Sequence, residues 1–370
     1  MTHRWLLPVT LTLALAATAH GTPAPSASLE QADGAEDAGG VRQRTLGGPD
    51  LEEWLDGQPK EPPLLPHLYG KVRRPGAPRL SRLPTAAEVK QIDAVVEAGK
   101  GAFPRVVKQR LEGVFLVALD REEEKDGRRY YRTTDGRYLR FEDIKLVEPP
   151  RMHGELLGKG LRLPLAFVYG EDRPVYRWAG GELVDELVAR KHSRFHLRRI
   201  FRHRGLRYAE GPGGIVLPAD ALRVARVVQR PDDIPAGQKW IHVDLSEQAL
   251  VAYEGDRPVF ATLVSSGRKG YEPPTGVYRV RTKYLETTMD GPDPTEGWYE
   301  VQQVPWTMYY HLGFALHGAY WHDTFGQVRS HGCTNIAPAD ARWLFLWSDP
   351  KLPEGWTSRK KSGTYVYFTE

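Results

Sequence analysis

Phe314-Ala-Leu-His-Gly-Ala-Tyr-Trp-His322, followed after a short interval by Ser330-His-Gly-Cys-Thr-Asn335, is the stretch that decides the reading of this chain. It holds Cys333, the single cysteine of 370 residues. With it come His311, His317, His322 and His331, side chains suited to thiol or metal chemistry. Phe314-Ala315-Leu316 reads as the end of a strand. A strand, a loop and a return would bring His317 against Cys333, and His331 lies two positions before the thiol, on the same face of an extended chain. A free thiol titrates near about 8.5, so it needs a base or an imidazolium to act as a nucleophile, and an imidazolium neighbour would lower that value. Gly332 removes bulk beside Cys333, and the Gly332 and Cys333 amides are candidates to face a developing oxyanion.

His317-Gly318, a loop, and Ser330-His331-Gly332-Cys333-Thr334-Asn335 resemble the signature of the L,D-transpeptidase (YkuD-type) catalytic domain. The resemblance implies Cys333 as acyl-accepting nucleophile and His317 as proton donor and acceptor. It implies His331 and Gly332 at the oxyanion site, and Ser330, Asn335, Gly313, Trp321 and Tyr299 as substrate-binding residues. The chain departs from the family at Thr334, where a hydrophobic residue is usual, and in a short spacer. Pro274-Thr-Gly276, Val304-Pro-Trp306 and Gly313 extend the resemblance over about residues 238–370. The implied substrate is peptidoglycan: a tetrapeptide stem is cut after its third, L-configured residue with loss of D-alanine. A side-chain amine of another stem, or an attached wall protein, accepts the acyl group. No cofactor and no metal are implied.

Other readings of the same residues stay open. Water as acceptor would make an L,D-carboxypeptidase. A zinc site from Cys333 and two histidines fits ligand chemistry. A protein that only binds the wall would leave the thiol idle, as a small buried hydrophobe. A papain-like peptidase has its cysteine before its histidine, the reverse of this order. His311, His322 and Trp306 read as wall or packing residues.

Hydrophobic residues at 41% and charged residues at 26% are ordinary globular values, and a net charge of +4 carries no argument for a nucleic-acid partner. One cysteine excludes an intramolecular disulfide. Met1-Thr-His-Arg4, the apolar run Trp5 to Ala17 and the small residues Ala17-Thr-Ala19 read as a signal peptide, residues 1–19, too short for a membrane span. The mature protein is then expected in the periplasm or cell wall.

Residues 20–84, poor in large apolar residues and then dense in proline, read as a linker. Residues 85–230 read as an accessory α+β region, with two small SH3-like wall-binding modules expected. Thr85 and Glu88 form a capping box before a helix with Val89, Ile92, Val95 and Val96 on one face. Gly113 to Leu119 is a strand candidate. Tyr131, Gly136, Asp143 and Val147 recur at constant offset as Tyr208, Gly213, Asp220 and Val224, a weak internal repeat. Gly181 to Ala189 reads as a short helix. Arg190 to Arg207 is basic, with apolar residues interleaved, and reads as a solvated basic face. From residue 238 the expected fold is mainly β, a β-sandwich with a short helix after the cysteine. Lys239–Asp244 and Ala249–Tyr253 form a hairpin, Ala337 to Trp347 the helix and Thr364 to Phe368 a closing strand. Gly291 to Gly297 is expected as a loop over the site.

Overall fold

The C-terminal domain is built on strands whose alternation the sequence already displays. Lys239–Asp244 pairs antiparallel with Ala249–Glu254, which pairs antiparallel with Arg257–Ser265. The closing strand Tyr365–Thr369 runs parallel to the first of these. In this computed structural model residues 65–158, 161–293 and 297–370 are described, with the backbone of Arg42–Thr45. The expected signal peptide and most of the expected linker lie outside the described residues.

A second sheet crosses the first. Thr282–Asp293 and Gly297–His311 form a long hairpin. Phe314–Gly318 returns along it and pairs in parallel with Thr334–Ile336. The latter reaches the edge of Arg257–Ser265, which belongs to both layers. Between the layers lies a core including Ile241, Leu250, Val264, Trp306, Met308 and Phe368, closed by the helix Pro338–Trp347 through Ala341, Leu344 and Phe345. Pro338 sits in the first turn, where its missing N–H costs nothing.

Asp340, in that turn and buried, ties the helix to the crossover from the N-terminal half. Its carboxylate accepts the Gly154 N–H at 2.8 and 2.9 Å and the Thr262 hydroxyl. A Cβ on Gly154 would lie 2.4 Å from the Ala261 carbonyl oxygen, so only glycine brings this amide so close.

The linker reading fails for residues 65–84. Leu68–Val72 and Ala77–Leu80 are strands of a first module with Val107–Leu111, Gly113–Lys125, Arg128–Thr133, Tyr138–Arg140 and Ile144–Leu146. Tyr69, Val72, Ala77 and Leu80 are buried. Prolines masked this, since Pro78 is tolerated within a short strand. The helix Ala86–Ala98 carries both bonds of the Thr85–Glu88 capping box.

A second module centres on Leu165–Val168 between Arg194–His196 and Leu222–Ala225. The recurring residues occupy like places. Tyr131 and Tyr208 lie on strands, and Gly136 and Gly213 take φ of +76° and +66°. Asp143 and Asp220 lie in 3-10 turns leading into Ile144–Leu146 and Leu222–Ala225.

The expected helix at 181–189 is instead the strand Glu182–Ala189, which hairpins with Arg173–Ala179. Gly180 and Gly181 both take positive φ between them, so turn chemistry overrode the i, i+4 leucines. Half of the cations in the basic run are in ion pairs: Lys191 with Asp323 at 2.9 Å, Arg199 with Glu210 at 2.7 Å, and Arg194 with Glu155 and Arg204 with Glu182. Among the described residues no helix is long and apolar enough to cross a membrane.

Burial raises the Asp340 carboxyl to about 6 from an ordinary value near 3.8. The folded state therefore holds this proton more tightly than the unfolded chain. The group favours folding below about pH 4 and progressively less as pH rises to about 6, by up to about 3 kcal/mol. Urea midpoints of wild type and Asp340→Asn should diverge across that window, with wild type losing ground as pH rises. Parallel curves would show that the carboxyl titrates normally.

Candidate functional site

The parallel pairing of Phe314–Gly318 with Thr334–Ile336 sets His317 opposite Asn335. Cys333 is the residue just before the pairing begins, two positions from Asn335, so its side chain leaves on the face that carries His317. His317 is 2% exposed. Its Nδ1 lies 3.3 Å from the Gly318 carbonyl, which only accepts, so Nδ1 carries the proton and Nε2 keeps its lone pair. Trp321 stacks on the ring at 5.7 Å and 29°.

Cys333 is half-buried and free. Its thiol donates to the Gly313 carbonyl at 3.6 Å, in the turn between the two returning strands, where Gly313 has φ +88°. Burial pushes the Cys333 thiol up to about 11 and the His317 imidazolium down to about 4. Moving the proton from one to the other is then uphill by on the order of 10 kcal/mol. An ion pair at about 4 Å returns about 4 kcal/mol at an effective dielectric of 20. The resting pair is neutral, and no imidazolium lowers the thiol.

Ser330 fixes the turn before the cysteine. Its hydroxyl accepts the Gly332 N–H at 3.1 Å and donates to the Cys333 carbonyl. The expectation that the Gly332 amide faces an oxyanion is thereby corrected: Ser330 occupies it. Gly332 is required by shape instead, with φ +127° and a would-be Cβ 2.8 Å from the Phe314 ring.

His331 packs against an aromatic ring and a carboxylate. It stacks on Tyr299 at 4.6 Å and 7°, and its Nε2 meets the Asp293 carboxylate, which Arg268 also grips. Neither Asp293 nor Arg268 was foreseen from the sequence. The expected loop over the site is the far end of the long hairpin, where Asp293 pairs with Gly297. Tyr299 and Trp321, expected to touch substrate, stack on the two histidines.

Asn335 serves the loop. Its amide lies 2.8 Å from His322 Nε2, while His322 Nδ1 accepts the Thr324 N–H at 3.2 Å. The neutral ring therefore has its proton on Nε2, and the amide meets it with its oxygen. The loop is anchored to the end of Arg257–Ser265, with Ser330 N–H on the Ser266 carbonyl at 3.0 Å and the Ser265 hydroxyl on the Thr324 carbonyl at 2.9 Å. The histidines thus point to separate partners, and among the described residues no three metal-ligating side chains gather.

The first module braces the hairpin. Gly113–Lys125 runs parallel to Gly297–His311, with Gly113 opposite Trp298 and Leu116 opposite Val301. A Cβ on Gly113 would lie 2.0 Å from the Trp298 carbonyl oxygen. Gln302 accepts the Ala118 N–H at 3.1 Å, Tyr69 stacks on Tyr320 at 3.7 Å, and buried Arg79 reaches Glu300 at 3.0 Å.

Residues 238–358 match the family model of YkuD, the L,D-transpeptidase catalytic domain. This part of the chain is a YkuD-type domain. Solved structures similar to it include an Enterococcus faecium L,D-transpeptidase, as a cysteine-to-serine mutant. The two are 25% identical over 40% of this chain and 55% of that one, with a TM-score of 0.31. The catalytic domain of an E. faecium L,D-transpeptidase acylated by ertapenem is 25% identical over 37% and 100%, TM-score 0.30. An L,D-transpeptidase from Mycobacterium smegmatis is 16% identical over 46% and 82%, TM-score 0.30. The match to the first covers little more than half of its length. No curated protein matches.

A neutral pair predicts how Cys333 reacts with iodoacetamide. The rate should climb about tenfold per pH unit from 7 to 10 without levelling. A plateau below pH 8 would show a preformed thiolate.

Proposed function

We propose that this protein is a cysteine-dependent L,D-transpeptidase acting on peptidoglycan stem peptides. The observation that carries the reading is the pairing of His317 with Asn335, two positions after Cys333 on the same strand face, within a YkuD-type domain. The thiol attacks the carbonyl of the stem's third residue. As the carbon–sulfur bond forms, the thiol proton passes to the free Nε2 of His317. That proton goes on to the amine of the departing D-residue, which leaves a thioester. A second amine attacks, His317 Nε2 takes its proton, and the thiol is restored.

The neutral resting state fits this sequence. A neutral imidazole is the base the first step needs, and thiolate forms only as the carbonyl is engaged. With the Gly332 amide occupied by Ser330, the Cys333 N–H is the remaining donor of the expected oxyanion pair. His331, held by Asp293 and Tyr299, forms a wall of the site in this reading. Met1 to Ala19 supports secretion, so the substrate is met in the periplasm or cell wall, with the N-terminal modules as wall-facing parts.

Incubation with tetrapeptide muropeptides tests the proposal. Wild type should release the terminal D-residue and form cross-linked dimers, and Cys333→Ala should do neither. Release without dimers would make the protein an L,D-carboxypeptidase. Wall binding by both proteins, with no turnover by either, would overturn the enzymatic reading.

A further inference from the structure

At the Gly313 turn opens a cleft of about 450 Å³. Its walls include Tyr284, Tyr309 and His311, its floor reaches Gly313, and Arg281 and Lys360 line it as well. No carboxylate is among its lining residues. Gly313 belongs to cleft and site alike, since its carbonyl holds the Cys333 thiol.

Arg281 and Lys360 sit on neighbouring, hydrogen-bonded segments that both line the cleft. The Arg281 N–H donates to the Tyr309 carbonyl at 2.8 Å, and the Lys361 N–H donates to the Arg281 carbonyl at 3.0 Å. Lys360 faces Thr282 across an antiparallel pair. Neither Arg281 nor Lys360 is in a salt bridge among the described residues, so the cleft holds two cations with no carboxylate beside them. Two unneutralised cations therefore share an aromatic-walled cleft that ends at a nucleophile's hydrogen-bond partner.

We infer that this cleft binds the free carboxylate of the peptide substrate, with Arg281 and Lys360 as its counter-charges and Tyr284 and Tyr309 flanking the chain. The identity of the peptide rests on the function proposed above. The preference for an anion beside Cys333 does not. A carboxylate held there places the end of a short peptide next to the thiol and disfavours chains that continue past it. Guanidinium suits this task because its planar donors match a carboxylate's two oxygens.

Two alkylating agents of similar size read the field directly. Iodoacetate carries a carboxylate and iodoacetamide does not, so the ratio of their rates on Cys333 cancels thiol acidity and access. Relative to the same ratio for free cysteine, wild type should favour iodoacetate by about fivefold. Arg281→Gln with Lys360→Gln should remove that preference, as should 0.5 M salt. The charge-keeping pair Arg281→Lys and Lys360→Arg should retain it. Both residues are exposed, so none of these changes opens the core. A wild-type ratio equal to that of free cysteine, or one unmoved by the double variant, overturns the inference whatever reaction the protein performs. A second arm compares stem peptides with free and amidated C-termini. The double variant should raise KM several-fold for the free acid alone, and an equal rise for both would overturn the assignment to the carboxylate.

Discussion

The parallel pairing of Phe314–Gly318 with Thr334–Ile336 is the constraint on which the site depends. Parallel strands cannot be joined by a tight turn, so the chain between His317 and Cys333 must travel. It goes out through Trp321, His322 and Phe325 and comes back along Ser265 and Ser266. Each leg is tied: His322 to Asn335 and Thr324, Ser330 to Ser266, and the Ser330 hydroxyl to both sides of Gly332. The reward is that two residues on different strands leave the sheet on one face, with Cys333 two positions before the partner of His317.

Burial then decides the electrostatics. The same packing that positions His317 under Trp321 removes water from it, and the Cys333 thiol is raised for the same reason. Attraction between the charged forms is too small to offset that cost, so the site rests uncharged. In the proposed reaction the charge appears only when a carbonyl is present to take it. The neighbouring tyrosines carry the same mark: burial first, and the thiol second, push the Tyr309 hydroxyl up to about 12. The long hairpin encloses this region through Asp293 and Tyr299. The first module stiffens the hairpin by continuing its sheet.

Much of this was legible in the residues around the cysteine. Ser-His-Gly-Cys with an upstream His-Gly pointed to the domain, and the alternation of Lys239–Asp244 and Ala249–Glu254 to its first hairpin. Pro338 marked the helix and Thr85 with Glu88 its counterpart upstream. Asp293 was not legible, because its partner His331 lies across a hairpin whose length no local signal sets. Nor was the role of Ser330, since a hydroxyl two residues from an amide gives no sign of whether it captures it. Residues 65–84 were hidden by proline, and Glu182–Ala189 by leucines whose spacing fits a helix as well as a strand. In each case a contact distant in sequence settled what local pattern left open. The proline-rich strands found partners in the first module, and Glu182–Ala189 found Arg173–Ala179 across a glycine turn.

The most direct test of an acylatable thiol at Cys333 is the intact mass of the protein after exposure to a carbapenem, whose strained ring opens when a nucleophile takes up its acyl group. One covalent adduct is expected on wild type and none on Cys333→Ala. No adduct on wild type, with Cys333 still alkylated by iodoacetamide, would contradict it.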